Sequence, residues 1–575
     1  MSELKVQGLE GVFETDDGLV EAVRGVDFEV AAGERLGFVG ESGSGKTTTA
    51  LALMGMIDPP GRVTGGSAVL AGTDLLKLDS AAHAAKRLVE VAYIPQGAMD
   101  SLNPVMRVGQ QIADGMIDHR AGLNAGARKA RVAELLGQVG LEPGVARMFP
   151  HQLSGGMKQR VAIAIALNPR LRIADEPTSA LDVITQRQVM QTLRSAQDSI
   201  GAALILIAHD MGLMAKFVDR IMVLRHGRLV EQGPVRQIFR APRDPYTREL
   251  IESVPALERR RQGAPARSRP RPAAPVMALD RVAKTYHRSL FRRGGVEAPK
   301  PVSFAISGER PLVVSIVGQS GSGKSTLGGL LLGFLAPSAG RVLFEGRDLR
   351  RLPAAARRDT YRRLQAVFQD PYAAYNPFHQ VDHNLAEPLR NFGSARGRRE
   401  ILERMREACS LVGLDPDQTI HRFAHQLSGG QRQRLMVGRA MVLGPRVLVA
   451  DEPVSMVDAS LRSSILGNLR RMTDEQDVSV VYITHDLATA YEVSDYVLVL
   501  YRGRVVEAGD AEMVIKDPRP LHPPPRRLDP LARSGPPLGG DAAAEAELAA
   551  WDREGRDALP RPLDDPRLQP CGMNP

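Results

Sequence analysis

Short apolar runs, each closed by glycine or by polar residues, recur along the chain. "ERLGFVG" (34–40) leads into a glycine-rich loop, and "KTTTALALMGM" (46–56) reads as the helix that follows. "LRIADEP" (171–177), "AALILIAHD" (202–210) and "RIMVLRHGRLVEQG" (220–233) are further runs of buried-strand length bounded by turn or polar residues. Strands alternating with helices predict an α/β fold, a mostly parallel sheet with helices on both faces. No run approaches the roughly 20 apolar residues of a membrane helix.

The pattern then repeats. "GESGSGKTTTA" (40–50) returns as "GQSGSGKSTLG" (318–328), and four further landmarks recur in the same order. These are a glutamine (Gln96, Gln369), "LSGG" (153–156, 427–430), "ADEP" (174–177, 450–453) and "HD" (209–210, 485–486). His209 follows Asp175 by 34 residues, and His485 follows Asp451 by 34. Such self-similarity marks a duplicated domain. Residues 1–255 and 276–517 are therefore expected to be two domains. The stretch 256–275, with six arginines and no apolar period, reads as a solvated linker, the other reading being a contact for anionic lipid or RNA. Residues 518–575 carry thirteen prolines and read as a poorly ordered tail, with a short helix possible at "DAAAEAELAAWDREG" (541–555).

A length of 575 residues with 43% hydrophobic content suits two ordinary domains and excludes global disorder. The net charge of +9 fits an anionic partner (nucleic acid, an acidic membrane face or a nucleotide) or simply an arginine-rich composition. Cys409 and Cys571 are the only cysteines, so neither a disulfide framework nor an iron–sulfur cluster can be built from them. The N-terminal "MSELKVQGLEGVFE" lacks the basic-then-apolar form of a signal segment.

Gly40, Glu41, Ser42, Gly43, Ser44, Gly45, Lys46 and Thr47 spell a phosphate-binding loop, continued by Thr48. Its glycines let backbone N–H groups turn inward around phosphates, and the helix behind adds its positive end. Lys46 is expected on the β- and γ-phosphates and the Thr47 hydroxyl on Mg²⁺. Gly318, Gln319, Ser320, Gly321, Ser322, Gly323, Lys324, Ser325 and Thr326 repeat the arrangement. Asp175 and Asp451 end apolar strands where a carboxylate can hold the Mg²⁺ shell. Glu176 and Glu452, one residue on, are placed to polarise water. One Asp-Glu strand end is more often a solvated turn; two, each downstream of a phosphate loop, point to catalysis. "HQLSGGMKQR" and "HQLSGGQRQR" each open a helix whose Ser-Gly-Gly start can cap the helix or bind an anion. With two phosphate-binding edges per copy and one nucleotide, one copy's signature is available to complete the other's site.

In this order the five landmarks resemble the ATP-binding cassette (ABC) ATPases, over about residues 3–250 and 277–515. The resemblance implies two tandem domains, each with a parallel core, an antiparallel β subdomain and a helical signature subdomain. It implies ATP and Mg²⁺ as ligands and head-to-tail pairing of the two copies. Lys46 would then work with Ser428, Gly429 and Gly430, and Lys324 with Ser154, Gly155 and Gly156. Gln96 and Gln369 would touch Mg²⁺, His209 and His485 the γ-phosphate, and Phe13 and Tyr286 would stack on adenine.

Finer features resemble the oligopeptide, dipeptide and nickel importer branch. They are "AMDSLNPVMRVGQQI" (98–112), "DPYAAYNPFHQV" (370–381) and "PRDPYTRELIESVP" (242–255), which has Asp244 where the branch has histidine. "DEPVSMVDASLR" (451–462) resembles relatives that import oligosaccharides. The implied protein is a peripheral ATPase on the cytoplasmic face of the cell membrane. It would energise two permease subunits fed by a solute-binding protein, with no nucleic-acid partner. The other class is a soluble tandem cassette acting on ribosomes or DNA, which the short proline-rich linker does not resemble. Two departures stand out. Asp175 follows Ser154 by 21 residues, whereas Asp451 follows Ser428 by 23, which predicts that the first copy's signature helix is either shortened or reset by about half a turn. In the second copy the His-Pro-Tyr-Thr ending has become "HPPPRR" (522–527).

Overall fold

The structure, a computed structural model, describes residues 2–15, 18–98, 101–118, 124–166, 169–179, 181–252, 274–287, 295–369, 375–395, 397–454 and 459–516. The expected linker, apart from its last two residues, and the expected tail with its possible helix lie outside them, as do parts of the branch-specific stretches. The chain divides into two compact units, most of the first lying in residues 1–254 and most of the second in residues 255–575.

In the first unit six strands form the central sheet. Their order is Arg228–Pro234, Arg220–Arg225, Arg35–Val39, Ala203–Ile207, Leu171–Asp175 and Val91–Ile94. All neighbours are parallel except the first pair, which is the antiparallel hairpin closed by His226-Gly227. Ala203–Ile207 and Leu171–Asp175 are buried at every position, as strands covered on both faces must be. A separate antiparallel sheet, Gly18–Ala31, Ser2–Thr15, Gly61–Leu70 and Thr73–Asp74, covers one side. Leu4, Val6, Phe28 and Val30 pack there with Phe38 and Ile205 of the central sheet. On the other side Val108–Asp118, Ala125–Gln138 and Gly155–Ile165 share a core with the central strands, through Ile112, Leu135, Leu136 and Val161.

The second unit repeats this design. Its central order is Leu364–Val367, Val447–Asp451, Ser479–Thr484, Val313–Gly318, Tyr496–Tyr501 and Arg504–Asp510. Its antiparallel sheet is Val302–Ser307, Pro275–Ala283, Ala339–Phe344 and Arg347–Asp348. The hairpin Thr285–His287 with Gly295–Glu297 is added beside it. Cys409 lies in the helical core of this unit, where burial pushes its thiol up to about 11, so it is a packing residue. No described helix is long and apolar enough to cross a membrane.

The expected shortening of the first signature helix is present: Gly155–Ile165 has 11 residues and Gly429–Met441 has 13. Arg172 accounts for how the shorter helix ends. It is fully buried where the second unit has Leu448. Its Nε donates to Ala166 O at 3.1 Å, at the end of the signature helix, and its Nη2 to Ala196 O at 3.2 Å. Burial lowers this guanidinium to about 10, and the two helix-end carbonyls hold the cation in place. Arg172→Ala is expected to lower unfolding free energy by roughly 3 kcal/mol, since it takes the donor from Ala166 O and opens a cavity, while Ala196 O keeps the Ser199 hydroxyl. Thermal melting of the purified chain reads this directly, and an unchanged melting temperature refutes the role.

Candidate functional site

Each phosphate loop sits between a central strand and a helix: Arg35–Val39 and Lys46–Leu53 in the first unit, Val313–Gly318 and Lys324–Leu331 in the second. Glycine is required at the loop's base. A Cβ on Gly40 would stand 2.2 Å from Leu224 O, and one on Gly318 would stand 2.3 Å from Leu500 O. Gly45 and Gly323 enter the helix at φ 97° and 101°, a region that favours glycine. The lysines are buried and turn back over their own loops. Lys46 Nζ donates to Gly40 O at 2.8 Å and Glu41 O at 2.7 Å; Lys324 Nζ donates to Gly318 O at 2.8 Å and Gln319 O at 2.9 Å. Burial lowers the Lys324 ammonium, against the pull of Glu452 and Asp451.

Behind each loop lies the strand-end aspartate. Burial raises both carboxyls, while hydrogen bonds from Thr47 to Asp175 and from Ser325 to Asp451 oppose it. Among the described residues, Asp175 Oδ1 and Asp451 Oδ1 are buried atoms without a hydrogen-bond partner. A buried carboxylate oxygen with no donor is costly unless a cation meets it. A hydroxyl beside a carboxylate is the hard-oxygen donor set that suits Mg²⁺ shared with phosphates, so the residues fit the ion. No described group of three or more His, Cys, Asp and Glu gathers as an all-protein cage. The two sites differ in one respect that the sequence reading missed. Tyr93 donates its hydroxyl to Asp175 Oδ2 at 2.9 Å, and Ala366 takes that strand position in the second unit.

Glu176 and Glu452 follow the aspartates at φ 45° and 46°, left-handed values that non-glycine residues seldom adopt. Their backbone N–H groups are pinned to Ile207 O and Ile483 O, each at 2.9 Å. The glutamine and histidine of each copy converge on this carboxylate. Gln96 Nε2 donates to Glu176 Oε2 at 2.8 Å, and His209 Nδ1 lies 3.3 Å from Glu176 Oε1. Gln369 Nε2 donates to Glu452 Oε2 at 3.1 Å, and His485 Nδ1 lies 3.0 Å from Glu452 Oε1. Burial alone would raise the Glu452 carboxyl, but the His485 bond and charge and the Lys324 charge hold it below its ordinary value. The same balance, with His209, Lys46 and Gln96, lowers Glu176. Both glutamates are thus ionised at neutral pH and fixed in orientation.

The signature serines are exposed N-caps. Ser154 Oγ accepts from Met157 N at 3.3 Å, and Ser428 Oγ accepts from Gln431 N at 3.2 Å. Gln431 Oε1 in turn accepts from Ser428 N at 2.9 Å, completing a capping box. Met157 has no group that can do so. Gly155 and Gly429 begin the helices and are half-buried, while Gly156 and Gly430 are buried. A Cβ at either buried glycine would come within 2.3 Å of Thr185 Cγ2 or Leu461 Cδ1. Of the aromatics, Tyr286 is exposed, with its hydroxyl 3.4 Å from Thr326 Oγ1 beside the phosphate loop. Phe13 is half-buried against Gly61, where a Cβ would stand 2.5 Å from its ring. Glu41, Ser42, Gly43, Ser44 and Thr48 fall on the first loop and its helix, as Ser320, Gly321 and Ser322 fall on the second loop.

Two phosphate loops, each backed by an aspartate and faced by a pinned glutamate, define a P-loop nucleotide hydrolase built twice. The sequence profile of the ABC transporter family matches residues 23–179 and 300–455, and that of the oligopeptide/dipeptide transporter C-terminal region matches 230–278. The chain belongs to the ATP-binding subunits of the oligopeptide-type ABC importer family, and it is an ATPase whose turnover powers transport. It is similar to the glutathione import ATP-binding protein GsiA of Salmonella typhimurium, 38% identical over 559 residues, covering 91% of this chain and 88% of that one. It is 37% identical to the protein of that name from Escherichia coli O157:H7 over 561 residues, with the same coverage. A solved dimeric bacterial ABC transporter cassette is 28% identical and covers 40% of this chain and 99% of its own, at a TM-score of 0.37. Membrane permeases are the partners that this family implies. Nothing in the comparisons supports action on ribosomes or nucleic acid.

Proposed function

We propose that the chain energises uptake of a short peptide or peptide-like solute of the glutathione kind, through two permease subunits supplied by a solute-binding protein. It acts from the cytoplasmic face of the cell membrane, bound peripherally. The observation that carries the ATPase part is the repeated convergence of glutamine and histidine on Glu176 and on Glu452. Similarity along 91% of the chain to glutathione import subunits favours a peptide over an oligosaccharide or nickel.

In this reading residues 1–255 and 276–517 are the two cassettes, joined by 256–275 and followed by the tail 518–575. Backbone N–H groups of each loop, with Lys46 or Lys324, receive the β- and γ-phosphates of ATP. Thr47, Asp175 and Gln96, and Ser325, Asp451 and Gln369, would hold Mg²⁺, which neutralises charge developing on the phosphates. Glu176 or Glu452 accepts a hydrogen bond from the attacking water and aligns it. His209 or His485 keeps that carboxylate oriented and turns its other ring nitrogen to the γ-phosphate. Tyr286 stacks on adenine in its site; Phe13 has the corresponding part in the other. Ser428-Gly429-Gly430 closes over the nucleotide on Lys46, and Ser154-Gly155-Gly156 over that on Lys324. Two phosphate-binding edges per copy for one nucleotide support this exchange.

Uptake measurements test the substrate. Cells lacking the chain are expected to lose saturable import of labelled glutathione or dipeptide. Restoring the chain recovers import, and restoring Lys46→Ala/Lys324→Ala does not. Unlabelled oligosaccharide or nickel should not compete. Undiminished peptide uptake without the chain, alongside lost oligosaccharide uptake, overturns the assignment.

A further inference from the structure

The His-Pro-Tyr-Thr-like ending has so far had no part in the chemistry. Its tyrosine reaches the first phosphate loop. The Tyr246 hydroxyl accepts a hydrogen bond from the Glu41 backbone N–H at 2.9 Å, across 205 residues of sequence. Tyr246 is 2% exposed, and the Arg225 guanidinium carbon lies 4.5 Å from its ring centroid. Its seat is built from buried groups. The Glu231 carboxylate accepts the backbone N–H groups of Arg243 and Asp244 at 3.0 and 3.1 Å. Burial would raise that carboxyl; these bonds outweigh it and hold it low. Asp244, standing where the branch has histidine, accepts Tyr246 N at 2.8 Å and opens the helix Pro245–Glu252.

Glu41 is therefore held at both of its backbone polar groups. Tyr246 takes its N–H, while Lys46 Nζ takes its carbonyl at 2.7 Å. A lysine that moves onto phosphate must give up that carbonyl, which keeps the Ser44 N–H at 3.2 Å, while the tyrosine bond goes on holding the N–H side of the loop's shoulder. The rest of the brace is common to both units: Gly227 N donates to Ser44 O at 3.2 Å, and Gly503 N to Ser322 O at 2.9 Å. The sequence motif that supplies the tyrosine is not common to both. In "HPPPRR" the motif position of Tyr246 is held by Pro524, which has no hydroxyl; that segment lies outside the described residues.

We propose that Tyr246 is a positioning residue that preorganises the first nucleotide loop for phosphate, and that the two ATP sites of this chain are unequal because the second copy's sequence motif has proline in its place. A loop already held in its binding shape loses less freedom on binding, so the first site takes ATP more tightly. This rests on Gly40–Thr47 being a nucleotide loop. One hydrogen bond of this kind corresponds to roughly three- to tenfold in affinity.

The test isolates each site in the full chain. Binding of a fluorescent ATP analogue is measured in the Lys324→Ala background, where the first loop binds, and in Lys46→Ala, where the second does. Tyr246→Phe, which keeps the ring over Arg225, should weaken binding roughly three- to tenfold in the first background and leave it unmoved in the second. Glu231→Gln, which loosens the seat, should act in the same direction and less strongly. Unchanged affinity in the Lys324→Ala background, or an equal loss in both, overturns the proposal, since a general loss of structure does not choose between sites. If Lys46→Ala/Lys324→Ala binds the analogue as well as the parent does, the loop assignment itself has failed, and the proposal falls with it.

Discussion

A chain carrying Glu176→Gln and Glu452→Gln should bind ATP as the parent does and scarcely hydrolyse it. Each glutamate is the acceptor on which a glutamine amide and a histidine ring converge, and each is kept ionised by those neighbours. Glutamine preserves size and one acceptor oxygen but removes the charge that polarises water. Loss of such a group typically costs about two to four powers of ten in rate. The lysines and loop amides that grip phosphate are untouched, so nucleotide affinity should stay within about twofold. Phosphate release and equilibrium binding of ATP measure the two quantities separately. Hydrolysis near the parental rate in the double variant would remove both glutamates from the chemistry.

The second large effect separates two ways of pairing lesions. If each loop is completed by the other copy's signature, Lys46→Ala with Ser428→Ala damages one ATP site twice and spares the other. Lys46→Ala with Ser154→Ala damages both. Contacts that act together on one transition state are strongly non-additive, so a site already disabled loses little more. ATPase activity of the first pair should resemble that of Lys46→Ala alone, and activity of the second should be clearly lower. Because both copies lie on one chain, activity per molecule should depend little on dilution. The opposite ranking would mean two independent sites.

What the sequence made legible were the elements whose chemistry needs neighbours in the chain. A phosphate loop needs consecutive N–H groups, and a metal-binding aspartate beside a water-polarising glutamate needs adjacent positions, so both appear as words. The antiparallel sheets were harder to see. Along Ser2–Thr15 the register with Gly18–Ala31 shifts four times, which breaks the period-two alternation that betrays a half-buried strand. Tyr93, Arg172 and Tyr246 were not legible as site or framework residues. Tyr93 meets Asp175 across 82 residues and Tyr246 meets Glu41 across 205. Only sheet register and helix packing bring such partners together. Gln96, Gln369, His209 and His485 were marked by their recurrence in both copies, and the family resemblance put them near the phosphates, but neither revealed that each pair meets on a single carboxylate.

The left-handed backbone at Glu176 and Glu452 bears on how such sites decay. A non-glycine residue held there carries on the order of 1 kcal/mol or more of strain, which the proposed role of that side chain in hydrolysis would account for. Glycine would relax it, and β-branched residues would fit worst of all. In a lineage where one of the two cassettes is no longer selected for turnover, drift therefore favours the exchange that both relieves the strain and removes the acid. The copy that stops working grows more stable by the same step, and the inactivation becomes hard to reverse.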